Sequence, residues 1–176
     1  MSQQDYKSAS IVYNGWGCLV FLIFLGIINA GYLEFSGANR NSLIMYKVRQ
    51  SEAKRYVSFM NKAQQANFAE KSAFANSFDA LGLGIKTETP NYKYSVLGTT
   101  KAVFNYGVPK KKDLKIYVGG VFVVPAKNWV LNADKDEITT TSILCGADSP
   151  GTIKPAEPTY QNGKLVCGKG TTEVTK

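Results

Sequence analysis

Three cysteines, 21 lysines and arginines and no histidine decide what chemistry this 176-residue chain can carry. Without imidazole there is no Ser-His-Asp or Cys-His nucleophilic arrangement and no histidine-bearing zinc site. Cys18, Cys145 and Cys167 show no Cys-x-x-Cys spacing, so a thiolate metal centre is not expected. The chain has no P-loop, no dinucleotide glycine fingerprint and no carboxylate pair at a recognisable spacing. The expectation is a protein that is not an enzyme, with no cofactor, no catalytic residue and no metal site.

What remains is cross-linking and charge. Cys18 sits inside an apolar run and reads as a small buried hydrophobe. Cys145 and Cys167 each end an apolar, strand-like run in the polar C-terminal region. A bond between them would close a loop rich in Pro, Gly and Ser/Thr and remove about 3 kcal/mol of unfolded-chain entropy. That disulfide is the expectation, and it places the domain in an oxidising compartment. Two free thiols in a cytoplasmic domain are the alternative.

The net charge of +8 is unevenly spread. Eight lysines lie between Lys86 and Lys127 against Glu88 and Asp113, whereas five acids lie between Asp134 and Glu157 against Lys135 and Lys154. Lys93, Lys101, Lys110, Lys111, Lys112 and Lys115 are the candidates for a basic patch that attracts nucleic acid or anionic lipid. The plainer reading is two solvated faces of opposite sign.

These groups must be positioned by the elements around them. Residues 1–14 form a short polar tail with Asp5 and Lys7. From Gly15 through Leu33 no Lys, Arg, Asp or Glu intervenes. Nineteen helical residues rise about 28 Å, close to the thickness of bilayer hydrocarbon. Tyr13, Trp16 and Tyr32 stand at the edges, where amphipathic rings favour the headgroup layer. Residues 15–35 therefore read as a transmembrane half-helix. Residues 36–71 read as a polar break at Ser36–Asn41, which should loosen or kink the rod, followed by an amphipathic helix. Its apolar stripe is Leu43, Tyr46, Ala53, Tyr56, Val57, Met60, Ala63 and Phe68, with Glu52, Lys54, Arg55, Lys62, Gln64 and Gln65 filling much of the rest.

Residues 72–176 read as an antiparallel sheet domain with a C-terminal disulfide loop. Residues 72–84 form a compact loop or short helical turn whose phenylalanines pack. After Pro90 the period changes to two: 92–96, 102–106 and 114–118 alternate, 121–124 is a continuous apolar run ended by Pro125, and 138–145 and 164–167 complete the strands. One long helix and four to six antiparallel strands give an α+β domain on a membrane stalk.

Longer motifs now become specific. The stretch Gln50-Ser-Glu-Ala-Lys-Arg-Tyr-Val-Ser-Phe-Met-Asn-Lys-Ala-Gln-Gln-Ala66 resembles the helix of the cyanobacterial type IV pilin-like family called G/H. So do Phe78-Asp-Ala-Leu-Gly-Leu-Gly-Ile-Lys-Thr-Glu-Thr, Asn91-Tyr-Lys-Tyr-Ser, Tyr117-Val-Gly-Gly-Val-Phe, and the end from Ile143-Leu-Cys to Cys167. The resemblance covers Gln50 to about Thr171. It implies a long N-terminal helix whose lower half packs on a small antiparallel sheet, with a disulfide stapling the last loop. Counting back from Gln50 by the usual family spacing puts Gly17 before a processing cut and Cys18 after it. The glutamate expected as the fifth mature residue falls on Leu22, which cannot neutralise a neighbouring subunit's new amine. Leu22, Leu25, Gly26 and Asn29 share roughly one helical face and form the candidate membrane assembly face.

Orientation carries opposing signals. Lys7 precedes the run while Arg40, Lys47 and Arg49 follow it, so the positive-inside tendency points the C-terminal side to the cytoplasm. The disulfide and the resemblance place that side outside, and the expectation follows them: a single-pass protein with an extracytoplasmic (periplasmic, cell-surface or lumenal) domain. The resemblance implies a minor structural subunit of a type IV pilus or related secretion pseudopilus, with membrane lipid and other pilin subunits as partners. The alternatives are an uncleaved accessory subunit docked on another membrane complex, thylakoid complexes included, and a pilin-like module that binds nucleic acid.

Overall fold

Among the described residues the first element is the long helix α1, Trp16–Lys71, and the sheet folds against its second half. The computed structural model describes residues 16–84 and 86–174, with side-chain environments from residue 40 onward. Two compact units divide within α1: Met1–Ile44, whose described part is helix, and Met45–Lys176, which holds the sheet. The helix runs on through Ser36–Asn41, where the sequence predicted a break. Ser, Gly and Asn each cost a helix only up to about 1 kcal/mol, and no proline is present to remove a hydrogen bond.

Seven strands follow among the described residues: β1 Tyr92–Gly98, β2 Ala102–Pro109, β3 Tyr117–Pro125, β4 Ile138–Ala147, β5 Thr159–Gln161, β6 Lys164–Val166 and β7 Thr171–Glu173. β1 to β4 form an antiparallel meander, β7 adds beside β4, and β5–β6 make a separate hairpin. The loop after α1 holds a short 3₁₀ turn, Asp79–Leu81. Phe74 packs on Phe68 with ring centroids 5.0 Å apart, and Phe78 is buried, as the sequence predicted for this loop.

The sheet is covered on both faces. On one, Ala53, Val57 and Met60 of α1 are fully buried against Tyr92, Tyr94, Leu114 and Tyr117. On the other, Tyr106, Val118, Phe122, Val124, Ile143 and Cys145 are covered by Tyr160, Leu165 and Cys167 from the C-terminal hairpin. Burial on both faces is why β3 reads as a nearly unbroken apolar run.

Residues 114–118 and 121–124 were expected as two strands and form one. Leu114 and Ile116 are buried but precede β3, which then runs straight through Gly119 and Gly120. Those glycines are spatial requirements of the strand. A Cβ on Gly119 would overlap Asn61 of α1, and one on Gly120 would come within 2.8 Å of the Phe122 ring and 2.9 Å of Pro158.

Candidate functional site

The second half of α1 is fastened to the sheet residue by residue, in order down its length. At the end where it arrives, the Tyr117 hydroxyl donates to Gln50 Oε1 at 3.2 Å. Asn91 Nδ2 donates to Glu52 Oε2 at 3.2 Å, and Tyr94 OH lies 3.5 Å from Glu52 Oε1. Next, Val57 lies over Gly107, where a Cβ would approach Val57 Cγ2 to 3.1 Å. One turn further, Asn61 Nδ2 donates to Ile143 O at 3.0 Å and Asn61 Oδ1 accepts from Asn105 Nδ2 at 2.9 Å. At the far end, Gln65 Nε2 donates to Thr140 O and Gln65 Oε1 accepts from Ser142 Oγ. Gln64 closes a two-bond clasp on Ala75, donating to its carbonyl and accepting from its N–H, both at 2.9 Å.

Asn61, Gln64 and Asn105 are buried, which sequence reasoning missed. Gln64 and Gln65 were read as part of the polar filling of the helix, yet Gln64 is wholly enclosed. The signal was available in the spacing: positions 53, 57, 60, 61 and 64 lie on one helical stripe, so its amides had to face the sheet. A buried amide is tolerated only when bonded, and each bond here ends on a specific backbone atom or amide. Asn105 Oδ1 is buried with no hydrogen-bond partner. The stripe is also shorter than predicted, since Leu43 is half-exposed.

Burial sets the electrostatics. The Tyr117 phenol is pushed up to about 12, first by desolvation and then by neighbouring Tyr46. Tyr92, Tyr94 and Tyr106 are raised further, again chiefly by burial. Tyr106 donates to Glu157 Oε1 at 2.8 Å, while Lys154 Nζ stands 4.2 Å above the Tyr106 ring. These contacts hold the loop after β4 against the sheet. Among the described residues no cluster of three or more Cys, Asp or Glu side chains could hold a metal.

Cys145 and Cys167 form the predicted disulfide, with Cα atoms 5.8 Å apart and a sequence separation of 22. The match to a family profile covers residues 50–168, from the glutamine bonded to Tyr117 to the glycine after the second cysteine. The family is type IV pilin-like G and H. This chain belongs to it. No curated protein and no solved structure matches the chain. The matched residues of this pilin-like chain are the ones that build the helix-on-sheet seam and its staple.

The predicted basic residues are divided by the fold. Lys93 and Lys110 converge on Glu88, Lys93 at 3.7 Å and Lys110 in direct contact. That hydrogen bond from Lys110 is the main reason the Glu88 carboxyl stays below its ordinary range. Lys110 N also bonds Asn91 O, so the loop carrying Lys110, Lys111, Lys112 and Lys115 lies at the sheet end where α1 arrives. Lys101 sits in the β1–β2 turn at the opposite end. The seven residues of β1 separate them, about 20 Å at strand rise. The six lysines therefore do not make one patch.

Gly17, Cys18, Leu22, Leu25, Gly26 and Asn29 fall on the helical stretch 16–39, and their side chains lie outside the described residues. Among the described residues no helix is long and apolar enough to cross a membrane. The side chains of the run read as a span, 15–33, are not among those described.

Proposed function

We propose that this chain is a membrane-anchored, minor structural subunit of a type IV pilus or a related pseudopilus, without a catalytic role. The observation that carries the reading is the helix-to-sheet seam closed by a C-terminal disulfide, in a chain whose residues 50–168 match the pilin-like family. A seam of this kind transmits the position of the helix to the whole domain, which a subunit held by one helix requires. The uncharged run 15–33 supplies the anchor in this reading, and the disulfide favours an extracytoplasmic domain.

Leu22 supports the minor role. In a filament packed through apolar helices, an unpaired amine in apolar surroundings is costly. A leucine at this position offers only van der Waals contact. The same residue favours a second reading, an uncleaved accessory subunit lying against another membrane complex through Leu22, Leu25, Gly26 and Asn29. Terminal sequencing of the mature protein separates the two: a chain beginning at Cys18 supports filament entry, and one retaining the residues before it supports a permanent anchor. Sheared surface filaments in which this chain is the main component would overturn the minor role.

A further inference from the structure

We propose that the sheet end at which α1 arrives is a lipid-docking surface for anionic headgroups, built from Lys111, Lys112, Lys169 and the apolar tip Ile153. This rests on the reading that residues 15–33 anchor the chain in a bilayer.

The geometry starts from a groove of about 740 Å³ whose lining includes Lys112, Ile116, Asp148, Pro150, Ile153 and Lys169. Gly151 N bonds Leu114 O at 3.0 Å, so the loop carrying Ile153 is tied to the same end of the sheet as Lys110–Lys115. Ile153 is 89 % exposed although it is β-branched and fully apolar. An isoleucine held out into solvent between lysines is the pattern of an interfacial contact: apolar tip into the headgroup boundary, cations at its rim.

The charge at this end is positive after its acids are counted. Glu88 is paired with Lys93 and Lys110, while Glu52, Asp113, Asp148 and Glu173 keep their charge against Lys54, Lys111, Lys112, Lys115 and Lys169. No carboxylate among the described residues pairs with Lys111, Lys112 or Lys169, which are all exposed. The acids of the β3–β4 loop, Asp134, Asp136 and Glu137, belong to the opposite end of the sheet.

Each basic residue near an anionic leaflet is worth about five-fold in occupancy, so three together are worth about a hundred-fold.

The test uses the full chain in lipid nanodiscs, in a Thr152→Cys, Cys18→Ser double variant that keeps Ile153. An environment-sensitive fluorophore is attached to the thiol introduced at position 152, and a quencher is placed on the lipid headgroups. One set of discs is phosphatidylcholine alone; the other contains about three-tenths phosphatidylglycerol, enough for a negative surface potential. Quenching should be strong only in the anionic discs and should be lost near 0.5 M salt, where the Debye length is about 4 Å. Combining Lys111→Gln, Lys112→Gln and Lys169→Gln should lower the docked-to-free ratio about a hundred-fold, whereas Lys101→Gln at the opposite end should leave it unchanged. Equal quenching in both discs, or insensitivity to the triple change, overturns the proposal. A response to an added DNA oligonucleotide but not to anionic lipid assigns the lysines to nucleic acid and also overturns it. Failure of the unmodified chain to enter neutral discs at all refutes the anchor reading itself, and the docking surface falls with it.

Discussion

Replacing Gly119 by alanine tests whether the Asn61 seam determines how α1 sits on the sheet. The added Cβ would overlap Asn61 Oδ1 and approach Cγ and Nδ2 to 2.7 Å. Asn61 cannot swing aside freely, because its amide donates to Ile143 O at 3.0 Å and accepts from Asn105 at 2.9 Å. The overlap therefore displaces helix or strand, or breaks both bonds. Overpacking of this kind costs about 1–3 kcal/mol, and losing the seam bonds adds about 1–3 kcal/mol for the stranded Asn105 amide. We expect Gly119→Ala to destabilise by about 3–4 kcal/mol on that basis. Asn61→Ala alone should cost about 2–3 kcal/mol, from the same stranded amide and a small void. In the double variant the methyl added at position 119 enters space that the Asn61 side chain has vacated. The combined loss should then fall short of the sum by at least about 1.5 kcal/mol, well outside the additivity of independent sites. Urea unfolding of the full chain in mild detergent, followed by Trp fluorescence and circular dichroism, gives the cycle if the slopes match. Simple additivity within about 0.5 kcal/mol would show that the two residues do not share this space.

Three further outcomes are open to measurement. Cys145→Ser should lower stability by about 3 kcal/mol, the entropy of closing a loop with a sequence separation of 22, and reduction of the native protein should reproduce the shift; a change below about 1 kcal/mol would mean that the loop is held by other contacts. Tyr92, Tyr94, Tyr106 and Tyr117, four of the ten tyrosines, should ionise late in an absorbance titration. Their folded-state values lie above the ordinary value of about 10, so their contribution is complete below about pH 10 and is lost as pH rises through about 12, where Tyr117 titrates; unfolding should begin in that window, and ten tyrosines titrating normally in the folded protein would refute it. Leu22→Glu should improve entry into filaments if the chain is a pilus subunit, and should abolish partner binding if it is a permanent anchor, since a carboxylate in a span costs about 2.5–3.5 kcal/mol to insert.

Much of the fold was legible because its elements carry long periodic signals. The stripe at 53, 57 and 60 and the alternation in β1 and β2 follow from the repeat of one buried face. The Cys145–Cys167 pair was legible from where each cysteine stands at the end of an apolar run. β5 and β7 lack the apolar pair Leu165-Val166 that marks the equally short β6, so their polar sequences carried no strand signal. Gly119 and Gly120 misled because glycine signals a break in sequence, whereas here it marks where a helix side chain and an aromatic ring press on the strand. The lysines misled in a different way. Lys93 and Lys101 are near in sequence but stand toward opposite ends of β1, because an extended strand carries its two ends apart. Proximity in sequence along a strand is distance in space.

The seam also explains why a helix with an apolar stripe needs amides at all. Ala53, Val57 and Met60 would pack nearly as well after a slide along the sheet, because apolar contact is non-directional. Asn61, Gln64 and Gln65 remove that freedom. Their partners are Ile143 O and Thr140 O on β4 and the Ala75 peptide in the loop after α1, so rotation or translation of α1 by one turn would leave several amides unbonded. At about 1–3 kcal/mol for each stranded group, a one-turn slip costs more than half of a typical domain's stability. The apolar residues supply the affinity of helix for sheet, and the amides supply its register. In this pilin-like chain, that register decides which surface of the sheet domain the helix covers and which it leaves open.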